Sequence, residues 1–487
     1  MEQSKTCISK ILHSNSFMKA IEEFVPQGYY EIETDFKDYK AKLIDNQTHK
    51  TIQYKDKAEA DDTLSKLSNI YNISNIELHN KIEKPKPPFT TSTLIQAALN
   101  KYNLPSKKTM KIAQELYEGV DINGKHIAFI TYMRTDSTRL SDQFVSQLSG
   151  YIVNVFGKDY LGYTHTKNNS NIQDAHEAIR PVSLFNTPKS VENLLSKDQF
   201  QVYSLIFDQT VESMMKDSVV EVKDIYFDNN GYTFNTSFEK TVFDGFKKNR
   251  KPEKVSKFIF SNVIGDSITS INLPVILSKE TEGPHRFSEA TLIKEMESSG
   301  IGRPSTYAST IETLKSRKYI EVSKKQLIPT TSGKLISKYL QEKFPEIINI
   351  EFTADMEKNL DDIAEGKKLE DIVVPSFYDY FMNIFNQRKN ENTLIETGEL
   401  CPLCGSKMVF RHNKIGRFEA CSNYPTCKYI KKPEKEEMPV IECPECHTGH
   451  LIQRVSRVGK YAGKKFYGCS NYPTCKFTTS SIKAIKK

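Results

Sequence analysis

The spacing of hydrophobic and polar residues changes period several times along this chain of 487 residues. Residues 29–44 alternate apolar and polar positions, which is the two-residue period of a strand. Residues 58–72 carry apolar residues at helical spacing. Residues 81–94 hold three prolines in four positions and predict a linker, after which Thr90 to Thr93 offer N-caps for a helix. The start of the chain is therefore predicted to pass from strand to helix, linker and helix.

The later regions separate into helical and strand-rich parts. Pro304 occupies a typical N1 position, so a helix is predicted to start there. A polar linker then leads into two segments that repeat each other, CPLCGSK…ACSNYPTCKY and CPECHTG…GCSNYPTCKF. The resulting division of the chain is an N-terminal helical segment (1–28), a β-rich part (29–91), a mixed region whose apolar strand leads into Tyr132 (92–216), a β-rich return (217–280), a helical region (281–390) and two small repeats (395–432 and 440–480).

Composition limits the class of protein. Hydrophobic residues make up 38% and charged residues 26%, a balance typical of folded multidomain proteins. The sequence has no long apolar run and no signal-peptide core, so we expect a cytoplasmic protein without membrane partners. The net charge of +7 is a mild bias that fits a lysine-rich soluble protein as well as a nucleic-acid-binding one.

Eight of the nine cysteines lie in the two C-terminal repeats, and Cys7 stands apart. Paired C-x-x-C turns close to a second cysteine pair are typical of tetrahedral zinc sites with four thiolates. Such a site has no open position, so we expect two structural Zn²⁺ ions. An iron–sulfur cluster and free core cysteines are the alternatives. The predicted ligand sets are Cys401, Cys404, Cys421 and Cys427, and Cys443, Cys446, Cys469 and Cys475.

Basic and aromatic residues interleave in both repeats. Basic side chains can track phosphates while rings stack on unpaired bases, which suggests single-stranded nucleic acid as a ligand. Packing of the rings inside a small ribbon is the alternative, expected for about half of them. The residues concerned are Arg411, Arg417, Phe418, Tyr424 and Lys428 in the first repeat, and Arg454, Arg457, Lys460, Tyr461, Lys464, Lys465, Phe466, Tyr467 and Tyr472 in the second.

Tyr132 and Arg134 form a Tyr-x-Arg pair after a short apolar stretch. In an extended backbone the two side chains point the same way. A tyrosine can attack a phosphodiester, and because a free phenol has a pKa near 10 it needs a cation that a guanidinium could supply. A packed tyrosine beside a surface charge is the alternative.

Three longer strings carry a resemblance to the type IA DNA topoisomerases, the bacterial topoisomerase I group in particular. TYMRTDSTRLS resembles the active-site motif of that family, AHEAIRP (175–181) resembles a second motif, and RFSEATLIKEMESSGIGRPSTYASTI (286–311) resembles a third. FTADMEKNLDDIAEG (352–366) and the cysteine repeats extend the likeness, which runs from about Phe24 to the C-terminus. Three long motifs in the same order set this resemblance apart from chance.

The resemblance implies roles for particular residues. Tyr132 would be the nucleophile that takes the 5′ phosphate, and Arg134 would position that phosphate. His176 would lie near the scissile site and Arg180 on the DNA path, although His176 taken alone fits a surface histidine. Arg286 and Arg303 would contact the backbone of the single strand. The remaining implied positions are Gly300, Gly302 and Pro304 as the turn that presents Arg303, Ser305 and Thr306 as phosphate donors at a helix N-terminus, and Tyr307 as a core residue.

The fold implied by the resemblance is multidomain α+β. Helical and β-rich domains would form a gated arch, the region 92–216 would be its gate, and two zinc ribbons would follow. The implied activity is transient cleavage of one DNA strand through a 5′-phosphotyrosine, strand passage and religation, relaxing negative supercoils without ATP. DNA, single-stranded or negatively supercoiled, would be the partner, and the location would be cytoplasmic and nucleoid-associated.

Members of the family also bind Mg²⁺ through an N-terminal Toprim domain with a D-x-D-x-E cluster. The sequence of this chain contains no D-x-D-x-E string. We therefore expect weak or absent relaxation by this chain alone. The Toprim half would sit on a separate polypeptide, or the chain would be a truncated product or a non-catalytic single-strand binder. A nicking relaxase would need a histidine cluster that the sequence lacks, and a zinc-ribbon regulator would leave the three motifs unexplained.

Overall fold

The computed structural model describes residues 23–122, 124–162, 177–250, 260–388, 396–413, 416–431, 441–455 and 465–479, together with Ile21. Almost all of the helix predicted over 1–28 lies outside these ranges, and so do Cys7 and His176. The chain divides into two compact units, Met1–Ile395 and Glu396–Lys487. Within the described residues, no helix is both long and apolar enough to cross a bilayer.

Strands and helices of the first unit follow the predicted order, except that a strand at Ile70–Glu83 replaces the end of the helix predicted over 58–72 and the start of the linker predicted over 81–94. The strands are β1 (Gly28–Phe36), β2 (Tyr39–Ile44), β3 (Ile70–Glu83), β4 (Val120–Ile122), β5 (Lys125–Ile127), β6 (Ser218–Asn229), β7 (Tyr232–Phe243), β8 (Ser267–Thr269), β9 (Val275–Glu280), β10 (Ile320–Ser323) and β11 (Gln326–Pro329). The helices are α1 (Lys57–Ser65), α2 (Thr91–Tyr102), α3 (Ser106–Glu118), α4 (Asp142–Phe156), α5 (Pro188–Val191), α6 (Lys197–Ser213), α7 (Glu289–Ser298), α8 (Tyr307–Ser316), α9 (Thr331–Lys343), α10 (Ile350–Ala364) and α11 (Glu370–Arg388).

One seven-stranded sheet unites the two β-rich regions, in the order β8-β3-β6-β7-β2-β1-β9. Every neighbouring pair is antiparallel. Asn230 and Gly231 connect β6 and β7 with φ angles of 54° and 86°, the left-handed pair that a two-residue hairpin turn needs. Apolar side chains from one face, among them Ile32, Tyr71 and Phe227, form the core of this sheet. The strands predicted in 29–44 and 217–280 are confirmed.

Helices α2, α3, α4 and α6 pack around a separate core that includes Leu94, Leu116 and Phe129. The neighbouring residue of α2, Ile95, points to a third core, formed mainly by α7 and α8 with Leu292 and Ile311. All of these side chains are at most 1% exposed. Because α2 serves both cores, it fixes the third motif against the domain that carries Tyr132.

Two other local predictions need correction. The apolar stretch before Tyr132 is not a continuous strand, since β5 ends at Ile127 and beyond it a single bridge joins Ile130 to Pro181. Pro304 does not start a helix, because α8 begins at Tyr307. The Thr306 hydroxyl accepts from the Arg303 N–H at 2.9 Å and closes a turn that occupies the predicted first turn of the helix.

The second unit contains two small antiparallel sheets, one for each repeat. The strands are β12 (Glu396–Leu400), β13 (Lys407–Asn413) and β14 (Gly416–Cys421) in the first sheet, and β15 (Leu451–Val455), β16 (Lys465–Cys469) and β17 (Thr478–Thr479) in the second. Three cysteines of each repeat are buried, Cys401, Cys421 and Cys427 in the first and Cys443, Cys469 and Cys475 in the second. Each ribbon is therefore built around its cysteine cluster.

Candidate active site and zinc centres

Side chains alternate between solvent and core from Tyr132 to Ser137. Tyr132, Arg134 and Asp136 are exposed, whereas Met133 and Thr135 are buried. This period of two is the pattern of an extended backbone over a core. The predicted arrangement of Tyr132 and Arg134 on one face is thus present, with the Tyr132 side chain 39% exposed.

The N-terminus of α2 fixes one edge of this segment. The fully buried Thr91 donates its N–H to the Thr135 carbonyl at 2.9 Å. The Thr91 hydroxyl donates to the Met133 carbonyl at 2.7 Å and accepts from the Thr135 N–H at 2.9 Å. These bonds satisfy backbone groups on both sides of Arg134, which would otherwise be buried without partners. In the sequence Thr91 is recognisable only as one of the candidate N-caps of α2, and no local pattern links it to Arg134.

The AHEAIRP motif fixes the other edge. Thr131 donates its N–H to the Arg180 carbonyl at 2.9 Å and its hydroxyl to the Ala178 carbonyl at 2.7 Å. The Arg180 N–H donates back to the Thr131 hydroxyl at 3.0 Å. The second motif therefore runs directly beside Tyr132. The residues on both sides of Tyr132, Thr131 and Met133, are held by hydrogen bonds.

Arg180 itself is turned toward the protein. Its guanidinium stacks 4.1 Å from the centroid of the Phe144 ring, and its Nε donates to Glu177 at 2.7 Å. Only 14% of its side chain is exposed. The DNA contact predicted for Arg180 remains a prediction, and it would require the guanidinium to leave these partners.

Tyr117 lies beside Tyr132 although fourteen residues separate them in the chain. The ring centroids are 5.3 Å apart at an interplanar angle of 66°, an edge-to-face arrangement. Tyr117 is 38% exposed, almost the same as Tyr132. No local sequence pattern indicates Tyr117, because the β4–β5 hairpin lies between it and Tyr132 in the chain.

The third motif places Arg303 against helix α10. Its Nε donates to Asp361 at 3.2 Å, and Glu357 lies 3.7 Å from the guanidinium. Gly300 and Gly302 have φ angles of 66° and 79°, which supports their predicted role in the turn. Arg303 is thus paired with two carboxylates in this structure.

The other predicted residues of this motif differ in exposure. Ser305 is exposed, whereas the Thr306 hydroxyl is engaged with the Arg303 backbone. Arg286 is half-buried, just before the N-cap of α7. Tyr307 is 5% exposed, as predicted for a core residue. Burial raises the pKa of its phenol, and the charges of Glu297 and Asp136 act in the same direction.

A buried carboxylate joins the third motif to the Tyr132 domain. Glu289, 6% exposed, accepts from the Ser106 N–H at 2.9 Å and from Lys315 at 3.0 Å. Ser92 on α2 also donates to Glu297 at 2.7 Å. These contacts, together with Ile95, hold the first and third motifs in a defined relation.

The eight C-terminal cysteines form two clusters, in each of which all four sulfur atoms lie within 4.8 Å of one another. The close Sγ–Sγ distances are 3.7 Å for Cys401–Cys427 and 3.4 Å for Cys404–Cys421 in the first cluster. A tetrahedron with Zn–S bonds of about 2.3 Å has edges of about 3.8 Å, so these distances fit zinc. In the second cluster the distances are 3.8 Å for Cys443–Cys475 and 3.6 Å for Cys446–Cys469.

Neighbouring groups stabilise the thiolate form at one cysteine of each cluster. A hydrogen bond from Ser406 lowers the pKa of Cys404 to about 6. The Thr448 backbone N–H has the same effect on Cys446, whose pKa also falls to about 6. In the same clusters burial raises the pKa of Cys421 and of Cys469, so it is the close arrangement of the four sulfur atoms that suits both ribbons to structural zinc ions.

Each ribbon also carries an exposed tyrosine with an arginine over its ring. The Arg411 guanidinium lies 5.1 Å from the centroid of Tyr424, and that of Arg454 lies 5.9 Å from Tyr472. Tyr424 is 56% and Tyr472 61% exposed, whereas Tyr467 packs against its cysteine cluster. The side chains of Arg417 and Lys465, and all of Arg457, Lys460, Tyr461 and Lys464, lie outside the described residues.

The part of the chain that the structure describes contains no cluster of carboxylates that could hold Mg²⁺. The groups of three or more metal-ligating side chains found there are the two cysteine sets. Mg²⁺ prefers carboxylate oxygens, and thiolate clusters do not suit it. No reaction step is therefore assigned to Mg²⁺.

Comparisons with known proteins show the family of this chain. A family model described as DNA topoisomerase matches residues 18–375, and one described as topoisomerase DNA binding C4 zinc finger matches residues 398–436 and 440–484. DNA topoisomerase 1 of Campylobacter jejuni is 38% identical over 476 residues, covering 92% of this chain and 68% of the relative. Full-length topoisomerase I from Thermotoga maritima matches with a TM-score of 0.73 and 34% identity, over 90% of this chain and 71% of that one. The chain therefore belongs to the type IA DNA topoisomerases, in the bacterial topoisomerase I group with C-terminal zinc ribbons.

Proposed function

We propose that this chain cleaves one DNA strand through Tyr132, holds the 5′ phosphate as a phosphotyrosine, and reseals the strand after passage of another. Negative supercoils would relax without ATP, because the phosphotyrosine keeps the energy of the broken bond. The observation that carries the proposal is the shared exposed face of Tyr132 and Arg134, on a segment tethered at both edges.

The chemical step is a transesterification. The Tyr132 Oη forms a bond to phosphorus while the bond from phosphorus to the 3′ oxygen breaks. The phenol proton leaves Tyr132, and the departing 3′ oxygen gains one, so no oxidant or nucleotide is consumed. Arg134 is suited to bind the phosphate oxygens and stabilise the charge that develops on them. Religation is the same step in reverse.

Single-stranded DNA is the substrate form that the surface favours. The exposed Tyr424 and Tyr472, each with an arginine over the ring, offer stacking faces and positive charge that unpaired bases and phosphates can use. Negatively supercoiled DNA exposes such strands. Binding should weaken steeply with salt, because phosphate contacts release counterions.

The test is capture of the covalent intermediate. A single-stranded oligonucleotide labelled at its 3′ end is incubated with the purified chain, and the reaction is quenched with denaturant. The label then lies on the fragment whose 5′ phosphate would be joined to Tyr132. We expect the label to migrate with the protein for the wild type and not for Tyr132→Phe. Arg134→Ala should reduce the captured fraction at least tenfold. A wild type that binds the oligonucleotide and captures no label would refute the proposal.

A second candidate is binding of single strands without catalysis, either as a relic or as one subunit of a split enzyme. It is favoured by the exposed tyrosines of the ribbons, Tyr424 and Tyr472, each with an arginine over its ring. Plasmid relaxation with Mg²⁺, with and without a Toprim fragment added in trans, separates these cases. Relaxation by the chain alone that disappears in Tyr132→Phe would refute the expectation of a separate Toprim partner. Relaxation only with the fragment would support a split enzyme.

A further inference from the structure

Tyr117 is held beside Tyr132 by the core and not by flexible loops. Its neighbour Leu116 is fully buried, and the Leu116 carbonyl accepts from the Phe129 N–H at 2.8 Å. Phe129 is 1% exposed and stands three residues before Tyr132. The same core therefore fixes the backbones that carry both rings.

The connection between the two rings is also constrained. Gly119 has a φ of 122°, which side-chain-bearing residues rarely adopt, and a Cβ there would meet the His126 ring at 2.5 Å. His126 contacts Asp121 at 2.8 Å and the Glu118 carbonyl at 2.9 Å, closing the β4–β5 hairpin onto the end of α3. The hairpin is thus fastened beside Tyr117.

The Tyr132 side chain has two rotatable bonds, χ1 and χ2, which hydrogen bonds to the main chain do not fix. Met133 and Thr131 are tethered through their main chains, whereas rotation of the Tyr132 side chain about χ1 and χ2 moves the phenol oxygen by several ångströms. A nucleophile must approach phosphorus in line, at a distance of about 3–3.5 Å. A ring packed edge-to-face on one side removes part of that freedom, and Tyr117 is the ring that does so.

We propose that Tyr117 is a positioning residue for the Tyr132 nucleophile. Its ring holds the Tyr132 ring in the rotamer from which the phenol oxygen reaches the phosphodiester, and its own hydroxyl takes no part in the reaction. The inference rests on the proposed role of Tyr132 and adds to it a residue outside the three motifs.

Three variants of the full chain test the proposal. Tyr117→Leu removes the ring, Tyr117→Phe keeps the ring without the hydroxyl, and Tyr378→Leu is the control, since Tyr378 is an exposed tyrosine on α11. The first-order rate constant for capture of a labelled single-stranded oligonucleotide is measured at saturating protein. The Kd for the same oligonucleotide is measured separately by fluorescence anisotropy.

We expect Tyr117→Leu to slow capture about three- to tenfold, the range that an aromatic pair contributes, with Kd changed less than twofold. Tyr117→Phe and Tyr378→Leu should both stay within about twofold of the wild type in rate, on the same scale. The midpoint of the pH–rate profile should be the same in all variants, since the hydroxyl of Tyr117 transfers no proton. Thermal denaturation confirms that each variant is folded.

Several results would overturn the inference. Wild-type capture rates in Tyr117→Leu, a loss confined to Kd, or a Tyr117→Phe variant as slow as Tyr117→Leu would each exclude positioning by the ring. Failure of the wild type to capture any oligonucleotide would instead refute the proposed function, and this inference with it. For an unfolded Tyr117→Leu, Tyr117→Met restores bulk without a ring, and a wild-type rate in it counts against the proposal.

Discussion

Thr91 and Thr135 are joined by reciprocal hydrogen bonds across 44 residues of sequence, N–H to carbonyl in one direction and N–H to hydroxyl in the other, both at 2.9 Å. The hydroxyl that accepts one of these bonds also donates to the Met133 carbonyl. One threonine thus holds the backbone on both sides of Arg134.

Thr91→Val should destabilise the first unit and slow DNA cleavage. Valine has nearly the same shape but leaves the buried Thr135 N–H and Met133 carbonyl without their partner, at a cost of about 2 kcal/mol in the free energy of unfolding. Urea denaturation measures the loss, and oligonucleotide capture measures the rate. Thr241→Val, at an exposed position of β7, is the control and should change neither. Equal stability of Thr91→Val and wild type would contradict the role given to Thr91.

Glu289 should make stability depend on pH. Burial tends to raise the pKa of this carboxyl, but hydrogen bonds from Ser106 and Lys315 outweigh it and hold the pKa below the usual 4.5. A group whose pKa is lowered on folding contributes stability above its unfolded pKa, and that contribution disappears as the pH falls through the folded value. Glu289→Gln should therefore cost about 2–3 kcal/mol at pH 7 and progressively less below pH 4.5.

Chemical denaturation of both proteins from pH 3 to pH 8 checks this expectation. The exposed Glu351→Gln serves as the control and should follow the wild type throughout. A destabilisation by Glu289→Gln that stays constant over the whole range would mean that the charge of Glu289 is unimportant.

Asp361 should compete with DNA for Arg303. The carboxylate pairs with the guanidinium that is predicted to contact the DNA backbone, and it adds a negative charge where a phosphate would lie. Asp361→Asn should tighten binding of a single-stranded oligonucleotide about threefold at low salt, and Arg303→Ala should weaken it. Asp362→Asn on the same helix makes the same change in charge and should have a smaller effect, because Asp362 pairs with Lys368. Weaker binding by Asp361→Asn would show that Asp361 orients Arg303 for DNA.

Zinc should be required by the ribbons and not by the first unit. We expect two zinc ions for each chain and one after Cys421→Ser, measured by atomic emission after gel filtration. Chelation should unfold the ribbons, because they have little core apart from their cysteine clusters. The unfolding transition of the first unit should be unchanged. Retention of two zinc ions by Cys421→Ser would contradict the assigned ligands.

Much of the site could be predicted because its signals are local. The period of two around Tyr132 places Arg134 on the same face as the phenol, and the spacing of Cys401 and Cys404 defines half of a zinc site. Such patterns depend on backbone geometry within a few residues.

The residues that the sequence analysis missed or misplaced depend on distant contacts. Thr91 and Tyr117 reach the Tyr132 segment through the tertiary fold, so neither carries a local pattern. Pro304 failed as a helix start because the Thr306 side chain stabilises a turn instead. Arg180 stacks on Phe144, a partner thirty-six residues away that its motif does not reveal.

The alternation of side chains from Tyr132 to Ser137 makes the length of this segment as important as its composition. Deleting one residue between Thr131 and Arg134, or inserting one, would turn every following side chain to the opposite face. Thioether and methyl groups would then meet the DNA, and charged groups would meet the core. We therefore expect this segment to tolerate some replacements but no insertion or deletion of a single residue. A change in length would move Arg134 away from the face that carries the Tyr132 phenol.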